Sequence, residues 1–570
     1  MFLLGTEEIM NSEWWKNAVI YQVYPKSFND SNNDGYGDIN GIIEKLPYIK
    51  SLGVDAIWLN PLYVSPQVDN GYDIADYRAV DPRFGTNEDL YRLIDEAHKL
   101  DLKIIMDLVV NGTSDQHRWF KESCKSKDNY FSDFYIWKDA KADGSEPNNW
   151  GSNFSGSAWE WNDQRQQYYL HYYAKEQPDL NWENPRVREA VFDLMRFWKA
   201  KGVDGWRMDI ITSISKNQEF PDNPAKHNEK YVVANQDNGP RMHEFIHDIN
   251  QEVLAPFDMM SVGEAPASKS IDARQLVDPK RQELDMVFTF QHMHIDRQEN
   301  GVNGRWDTQP ADIVLLKSIL SDWQNAMRDH GWNALYFENH DRARTPSRWG
   351  NDQEYRYESA TAFATVLHCL QGTPFIYQGE EIGMTNPDFK LDDYEDVELR
   401  TNYRQYVEEQ QTLSPEAFLK AAHQISRDNA RTPMQWDDTL NAGFSESESW
   451  FKINERYPEI NVDKDQKAQK SVSNYYRDLI KLRHNNLILR DGTYELKNAA
   501  DPDVFAYERC LGEQKWTVVV NLSDKRLKRA KYYTPNLDSK VVISNYHKTK
   551  ASDSDEILEP WEAIVFEDQI

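Results

Sequence analysis

Eight short apolar runs, each separated from the next by enough chain for a helix, constrain this sequence more than any other feature. They lie near residues 18, 55, 103, 203, 259, 286, 334 and 374. Runs that are apolar throughout, rather than alternating, suit strands buried on both faces, and parallel strands need a helical crossover at each step. Eight such strands with right-handed crossovers predict a closed (β/α)8 barrel of the TIM type. The intervals carry helix signals of their own. Thr86-Asn-Glu-Asp89 reads as a capping box, and Asn184-Pro185 supplies an N-cap with proline in the first turn. Val187, Val191, Leu194 and Trp198 then fall on one helical face before Gly202 closes the helix.

The alternation is interrupted twice. Residues 108–179, rich in Asn, Ser, Trp and Tyr and without helical period, are too long for a simple connection and predict a loop-rich subdomain inserted after strand 3. A charged, helical insertion spans 387–426. Residues 1–107 and 180–485 are assigned to the barrel. Beyond them, short alternating runs such as Val504-Phe-Ala-Tyr507 and Trp516-Thr-Val-Val-Val-Asn521 predict a C-terminal antiparallel β-sandwich over 486–570.

Charge and cysteine content narrow the function. A net charge of -29 with no basic stripe repels phosphate backbones and argues against nucleic acid as a partner. The 13% of aromatic residues supplies flat rings suited to stacking on sugars. Three scattered cysteines lack metal-ligand spacing and suit reduced thiols in a cytoplasmic protein. Met1-Phe-Leu-Leu4 is too short for a signal peptide, and no run is long enough to span a membrane. The expected partner is a small oligosaccharide, bound by a monomer.

Four strand-like runs end in side chains that can do chemistry: Asp107, Asp209, Glu264 and the Asn339-His-Asp341 cluster. The C-terminal rim is where parallel barrels place their active sites. Paired carboxylates on neighbouring strands are what glycosidic-bond cleavage needs, one to attack the anomeric carbon and one to protonate the leaving oxygen. Asp209 and Glu264 are the candidates, because the adjacent strands 4 and 5 allow their side chains the roughly 5 Å spacing of a retaining mechanism. Arg207, two residues before Asp209 on the same face, is expected to keep its carboxylate ionised. A plain structural ion pair explains one such strand end, but not four.

Taken together these runs resemble the α-amylase superfamily of glycoside hydrolases, in its oligo-1,6-glucosidase, dextran glucosidase and sucrose isomerase branch. The short consensus regions stand here as Asp107-Leu-Val-Val-Asn111, Gly205-Trp-Arg-Met-Asp209, Val262-Gly-Glu264 and Asn339-His-Asp341. Gln177-Pro-Asp-Leu-Asn181, Tyr377-Gln-Gly-Glu-Glu-Ile-Gly-Met-Thr385 and Arg427-Asp-Asn-Ala-Arg-Thr-Pro-Met-Gln-Trp436 extend the likeness over nearly the whole chain. The resemblance implies that Asp209 is the nucleophile, Glu264 the general acid/base, and Asp341 the third carboxylate. It also implies that Asp341 and His340 grip hydroxyls of the sugar. Asp69 and Tyr72 match residues that recognise the terminal sugar, with Arg427 as the partner of Asp69. Such a pocket is closed at one end and acts on chain ends.

The resemblance carries further expectations. Asp30, Asn32, Asp34, Asp38 and the Tyr36 carbonyl match a Ca2+ loop, with oxygen donors at alternate positions, and imply a structural ion. No organic cofactor is implied. The bulky Ile210 after the nucleophile resembles the α-1,6-acting members. Gly112 stands where the family has a histidine that contacts the sugar's 6-hydroxyl, which implies a hole, one hydrogen bond fewer and a slower or differently selective enzyme. His117 is a speculative substitute. Ile295-Asp-Arg297 partly resembles a sucrose isomerase loop, although Arg297 also reads as a solvated charge. The function implied is a retaining exo-α-glucosidase acting on terminal α-1,6-linked glucose. A sucrose isomerase, an α-1,4-glucosidase or transglucosylase, and a catalytically impaired sugar-binding homologue stay open beside it.

Overall fold

The computed structural model describes residues 13–225, 230–233, 237–299, 301–536, 538–550 and 556–569. The Met1–Leu4 run lies outside them. The eight anticipated strands all form: β1 (Ile20–Val23), β2 (Ala56–Leu59), β3 (Lys103–Leu108), β4 (Gly205–Met208), β5 (Met260–Ala265), β6 (Met286–Thr289), β7 (Asn333–Leu335) and β8 (Thr373–Tyr377). They pair in chain order, every pairing is parallel, and Ile20 of β1 sits opposite Phe375 of β8 to close the barrel.

Alternation along each strand divides the buried residues into two sets. Ile20, Ala56, Trp58, Ile105, Val262, Met286, Phe288 and Phe375 belong to one core cluster, which fills the barrel and continues to the C-terminal domain. Tyr21, Ile57, Ile104, Met106 and Trp206 join the helices in another. The predicted caps hold. Thr86 and Asp89 form the reciprocal capping box of helix Asn87–Lys99, and Asn184 caps helix Pro185–Lys199.

The inserted segment is less loop-like than its sequence suggests. It contains helix Arg118–Lys125, whose period is hidden by its shortness, and a three-stranded antiparallel sheet of Trp137–Lys138, Trp159–Asn162 and Gln167–Leu170. The second insertion carries helices Val397–Tyr403 and Pro415–Ile425. At the C-terminus a five-stranded antiparallel sheet forms from β9 (Thr493–Lys497), β10 (Val504–Leu511), β11 (Gln514–Asn521), β12 (Lys540–Ser544) and β13 (Ala563–Gln569), with β12 on the β13 edge. The second layer of the expected sandwich is only a two-stranded sheet, Leu527–Lys528 with Ile557–Leu558. Phe505, Tyr507, Val518 and Val520 on the other face pack against the barrel's own cluster. No helix among the described residues is long and apolar enough to cross a membrane.

Candidate active site

The rim at the C-terminal ends of the strands holds a cavity of about 480 Å3. Asp69, Tyr72, Asp209, Ile210, Glu264, Asp341 and Arg427 line it. Arg207, His340 and Gly112 do not; the first two stand directly behind the wall.

Strand register explains the catalytic cluster. Asp107 of β3 and Val262 of β5 flank Arg207 of β4, so the guanidinium projects between two carboxylate-bearing strand ends. Arg207, fully buried, holds Asp107 Oδ1 at 2.6 Å and Asp209 Oδ1 at 3.0 Å with Nη1, and contacts Glu264 Oε1 with Nη2. Trp58 stacks over it at 4.9 Å. One guanidinium therefore serves three carboxylates and brings Asp209 and Glu264 together. The backbone after Asp209 takes an unusual shape: Ile210 has φ 35°, left-handed for a β-branched residue. That turn aims the Ile210 N–H at Glu264 Oε2, 3.2 Å away.

Arg207 pulls the Asp209 carboxyl down as anticipated, but other forces outweigh it. Arg207 does not keep Asp209 in the ordinary range: burial pushes its carboxyl well above it, and Glu264 and Asp107 add to the rise against the pull of Arg207. Asp107 is likewise pushed up to about 6 by burial, against Arg207. Three buried carboxylates outnumber the one positive charge that reaches them.

Asp341 behaves in the opposite way. Burial works to raise its carboxyl, but His340, Arg427 and Arg431 hold it well below the usual range. Arg431 Nη2 is 2.7 Å and Arg427 Nη1 3.6 Å from Asp341 Oδ1. Burial lowers His340 to about 3, so it is neutral at physiological pH and the two arginines carry the effect. Gln22 Nε2 donates to Asn60 Oδ1 (2.8 Å) and meets His340 Nδ1 at 2.9 Å, which leaves the His340 proton on Nε2. That N–H has no hydrogen-bond partner among the described residues and lies 3.4 Å from Asp341 Oδ2. Tyr72 stacks on His340 at 5.2 Å and donates to Asp107 Oδ2 at 2.9 Å, joining the sugar-gripping side to the catalytic cluster.

On the cavity wall Arg427 Nη2 lies 3.3 Å from Asp69 Oδ1, as anticipated. Its stronger partner is Asp396, held by Arg427 Nε at 2.9 Å and by Nη2. Gln177 Nε2 reaches Asp69 Oδ2 at 3.3 Å, and burial pushes Asp69 up to about 6 against Arg427.

A family model for the catalytic domain of alpha-amylase matches residues 22–492. The chain is 53% identical to an oligo-1,6-glucosidase of Heyndrickxia coagulans over 556 residues, 97% of this chain and 99% of that one. The chain belongs to the alpha-amylase family. Among solved structures it is similar to the isomaltulose synthase of Klebsiella sp. LX3, at 41% identity and a TM-score of 0.92. It is also similar to the trehalose-6-phosphate hydrolase of Bacillus licheniformis, at 44% and 0.89. In both cases 97% of this chain and 99% of the other are covered.

Against the alpha-amylase pattern, three expectations change. Gly112 leaves no hole: a Cβ there would lie 2.6 Å from the Pro178 carbonyl oxygen. The 177–180 segment has closed over the position, through Thr113 N to Pro178 O (3.1 Å) and Leu180 N to Asn111 O (2.8 Å). His117 replaces nothing; it caps helix Arg118–Lys125, and its Nδ1 accepts from Trp119 N. Arg297 is not a solvated loop charge, because it lines the cavity. Sequence reasoning missed Asp396, Gln22 and Asn60. Asp396 could be sought only as an acid within the second insertion, and the other two carry no signal in the sequence.

The Asp30–Asp38 loop is wound by its own side chains. Asp30 Oδ1 accepts from Asn32 N and Asn33 N, and Oδ2 from Gly35 N and Ser445 Oγ. Asn32 and Asp34 accept from the backbone N–H two residues on, and Asp38 caps helix Ile39–Ser51 through Gly41 N at 2.7 Å. The donors are all oxygen and suit a hard cation. Asp30, however, already has a donor for each of its four acceptor sites. None of these residues lines the cavity.

Proposed function

We propose that this chain is a retaining, exo-acting α-glucosidase that hydrolyses terminal α-1,6-linked glucose from isomalto-oligosaccharides. The observation that carries the reading is a cavity with the Asp209–Glu264 pair on one wall and an end closed by Asp69, Arg427 and Asp396. A glucan extending past that end would strand buried charged groups without partners, so only a chain terminus fits. The oligo-1,6-glucosidase relative and the bulky Ile210 support the α-1,6 linkage.

Asp209, ionised, attacks the anomeric carbon from one face. Glu264, held by Arg207 and the Ile210 N–H, protonates the leaving oxygen and then deprotonates the water that releases glucose. Asp341, kept anionic by Arg431 and Arg427, accepts from sugar hydroxyls whose acidity rises as positive charge builds on the ring. Tyr72 offers its ring beneath the sugar. The alternating oxygen donors Asp30, Asn32, Asp34, Asp38 and the Tyr36 carbonyl support a structural Ca2+ as part of this reading, with Asp30 exchanging one of its present hydrogen-bond donors for the ion. Unpaired Cys124, Cys369 and Cys510 support action in the reducing cytoplasm. The reading takes the chain to act as a monomer, since every residue it uses comes from this one chain.

Chromatography of products from isomaltose, panose, maltose, sucrose and trehalose 6-phosphate tests the reading. Glucose release from isomaltose and panose is expected. Conversion of sucrose to an isomeric disaccharide as the main reaction, with isomaltose left intact, would overturn it.

A further inference from the structure

Two of the cavity's arginines are unlike the others. Arg427 is held by Asp396 and Asp69, and Arg305 Nη1 by both oxygens of Glu398, at 2.8 and 2.7 Å. Arg297 and Arg342 line the same cavity with no carboxylate within ion-pair distance among the described residues. The Arg342 guanidinium lies 4.9 Å over Phe290 and meets the Tyr336 hydroxyl, and its Nε is buried without a hydrogen-bond partner. In a chain of net charge -29, two guanidiniums left without acidic partners in one half-enclosed space are anomalous. Their mutual effect is visible: burial, Arg305 and Arg342 together hold Arg297 well below its usual range. A neutral sugar hydroxyl relieves none of that repulsion. An oxyanion does, and it matches the planar fork of each guanidinium.

Topology places Arg297 on the leaving-group side, and Arg342, next in the chain to Asp341, faces it from the neighbouring strand end. Asp69 follows β2 and Arg427 follows β8, closing the end that takes the terminal glucose. Glu264, which protonates the leaving oxygen, ends β5, while Arg297 follows β6 and Arg342 follows β7. The aglycone must leave from the Glu264 side, and so runs toward this pair.

We propose that Arg297 and Arg342 form an oxyanion subsite for the aglycone, so that beside neutral isomalto-oligosaccharides the site takes α-glucosides whose leaving group carries a carboxylate or a phosphate, and favours such a substrate over its neutral counterpart. This rests on the α-glucosidase reading above and extends its substrate range. The anion takes no part in the bond change. The glycosidic C1–O bond breaks, water gives its hydroxyl to C1 and a proton to the leaving oxygen, and the anionic group departs with the aglycone.

Matched pairs test the inference. Isomaltobionate and isomaltitol share the α-1,6 linkage and an open-chain aglycone and differ by the carboxylate; trehalose 6-phosphate and trehalose differ by the phosphate. The expected result is a kcat/KM at least about tenfold higher for the anionic member of one pair, carried mainly by KM and shrinking as salt rises. The pair that shows it identifies the anion. Arg297→Gln should bring that ratio toward one and Arg297→Lys restore part of it, with Arg342→Gln acting in the same direction. Charge-independent ratios in both pairs, with isomaltose still cleaved, overturn the oxyanion subsite and leave the α-glucosidase reading standing. Failure of that reading shows separately, as loss of cleavage of isomaltose itself.

Discussion

Asp209 and Asp341 both sit at barrel strand ends, both touch arginine, and both line one cavity, yet their surroundings push them in opposite directions. Asp209 shares Arg207 with Asp107 and Glu264 and is held above the ordinary carboxylate range. Asp341 has Arg431 and Arg427 and is held below it. The strained backbone lies on the first side only, at Ile210. The difference separates two tasks. On the mechanism proposed above, the nucleophile, which must form and then lose a bond, sits in a crowded, under-neutralised cluster, whereas the group that only accepts hydrogen bonds sits in a satisfied one.

Removing each carboxylate sharpens this contrast most. Asp209→Asn should lower kcat by about four orders of magnitude or more, since bond formation to C1 is lost. Melting temperature should stay level or rise, because one repulsive buried charge leaves the cluster. Asp341→Asn should also cost activity heavily, but with a lower melting temperature. It strips Arg431 and Arg427 of a partner, at about 1–3 kcal/mol after discounting for its partial exposure. Thermal melts and single-turnover kinetics on the two variants are the measurement. Equal stability losses in both would erase the distinction.

The pH profile offers a smaller and subtler effect. Because Asp209 must be ionised to attack, kcat/KM should fall as pH drops through its raised pKa, and that limb should lie above the ordinary carboxylate range. Asp107→Asn removes a like charge that helps to raise Asp209, so the limb should move to lower pH. A limb that stays put would mean that Asp107 does not share the cluster's protons.

The barrel was legible because its strands are buried on both faces and read as continuous apolar runs, bounded by caps such as Thr86 and Asn184. The carboxylates gathered at the cavity were legible because Asp107, Asp209 and Glu264 each stand at the end of one of those runs. What could not be read was the balance of charge. Arg207 two residues before Asp209 looks like a private partner, and only the register opposite Asp107 and Val262 shows it divided among three acids. Asp396 reaches Arg427 from an insertion whose fold the sequence leaves open. Gly112 read as a missing contact because sequence cannot show the 177–180 segment filling the space.

That position yields the next effect down. With the Pro178 carbonyl 2.6 Å from any Cβ, Gly112→His should not restore a lost contact but push the 177–180 segment outward. Overpacking of this kind costs about 1–3 kcal/mol. The displaced chain carries Gln177, which touches Asp69, so the closed end loosens. A lower melting temperature and a several-fold fall in kcat/KM on isomaltose are expected, with a similar fall on a xylose-type substrate that lacks the 6-hydroxyl. A selective gain on the 6-hydroxyl substrate would show that the loop yields and that the histidine site is latent.

The smallest expected effect on activity comes from the Asp30–Asp38 loop, which sets the far limit of the comparison as a region that lies off the cavity altogether. If Ca2+ binds there, it stabilises the folded chain by RT ln(1 + [Ca2+]/Kd), about 2.7 kcal/mol at a hundredfold excess over Kd, and leaves the turnover of folded enzyme unchanged. Chelation should therefore lower the melting temperature while kcat at low temperature stays constant, and Asp34→Ala should abolish the Ca2+ dependence. Asp34 is the informative choice because its one other role among the described residues is to accept from Tyr36 N, whereas Asp30 and Asp38 also hold the loop and the helix start together. A melting temperature indifferent to chelator would leave the hydrogen bonds of Asp30 as sufficient to wind the loop by themselves. A fall in kcat on chelation would instead tie this loop to the Asp209 cluster and end its use as the inert reference.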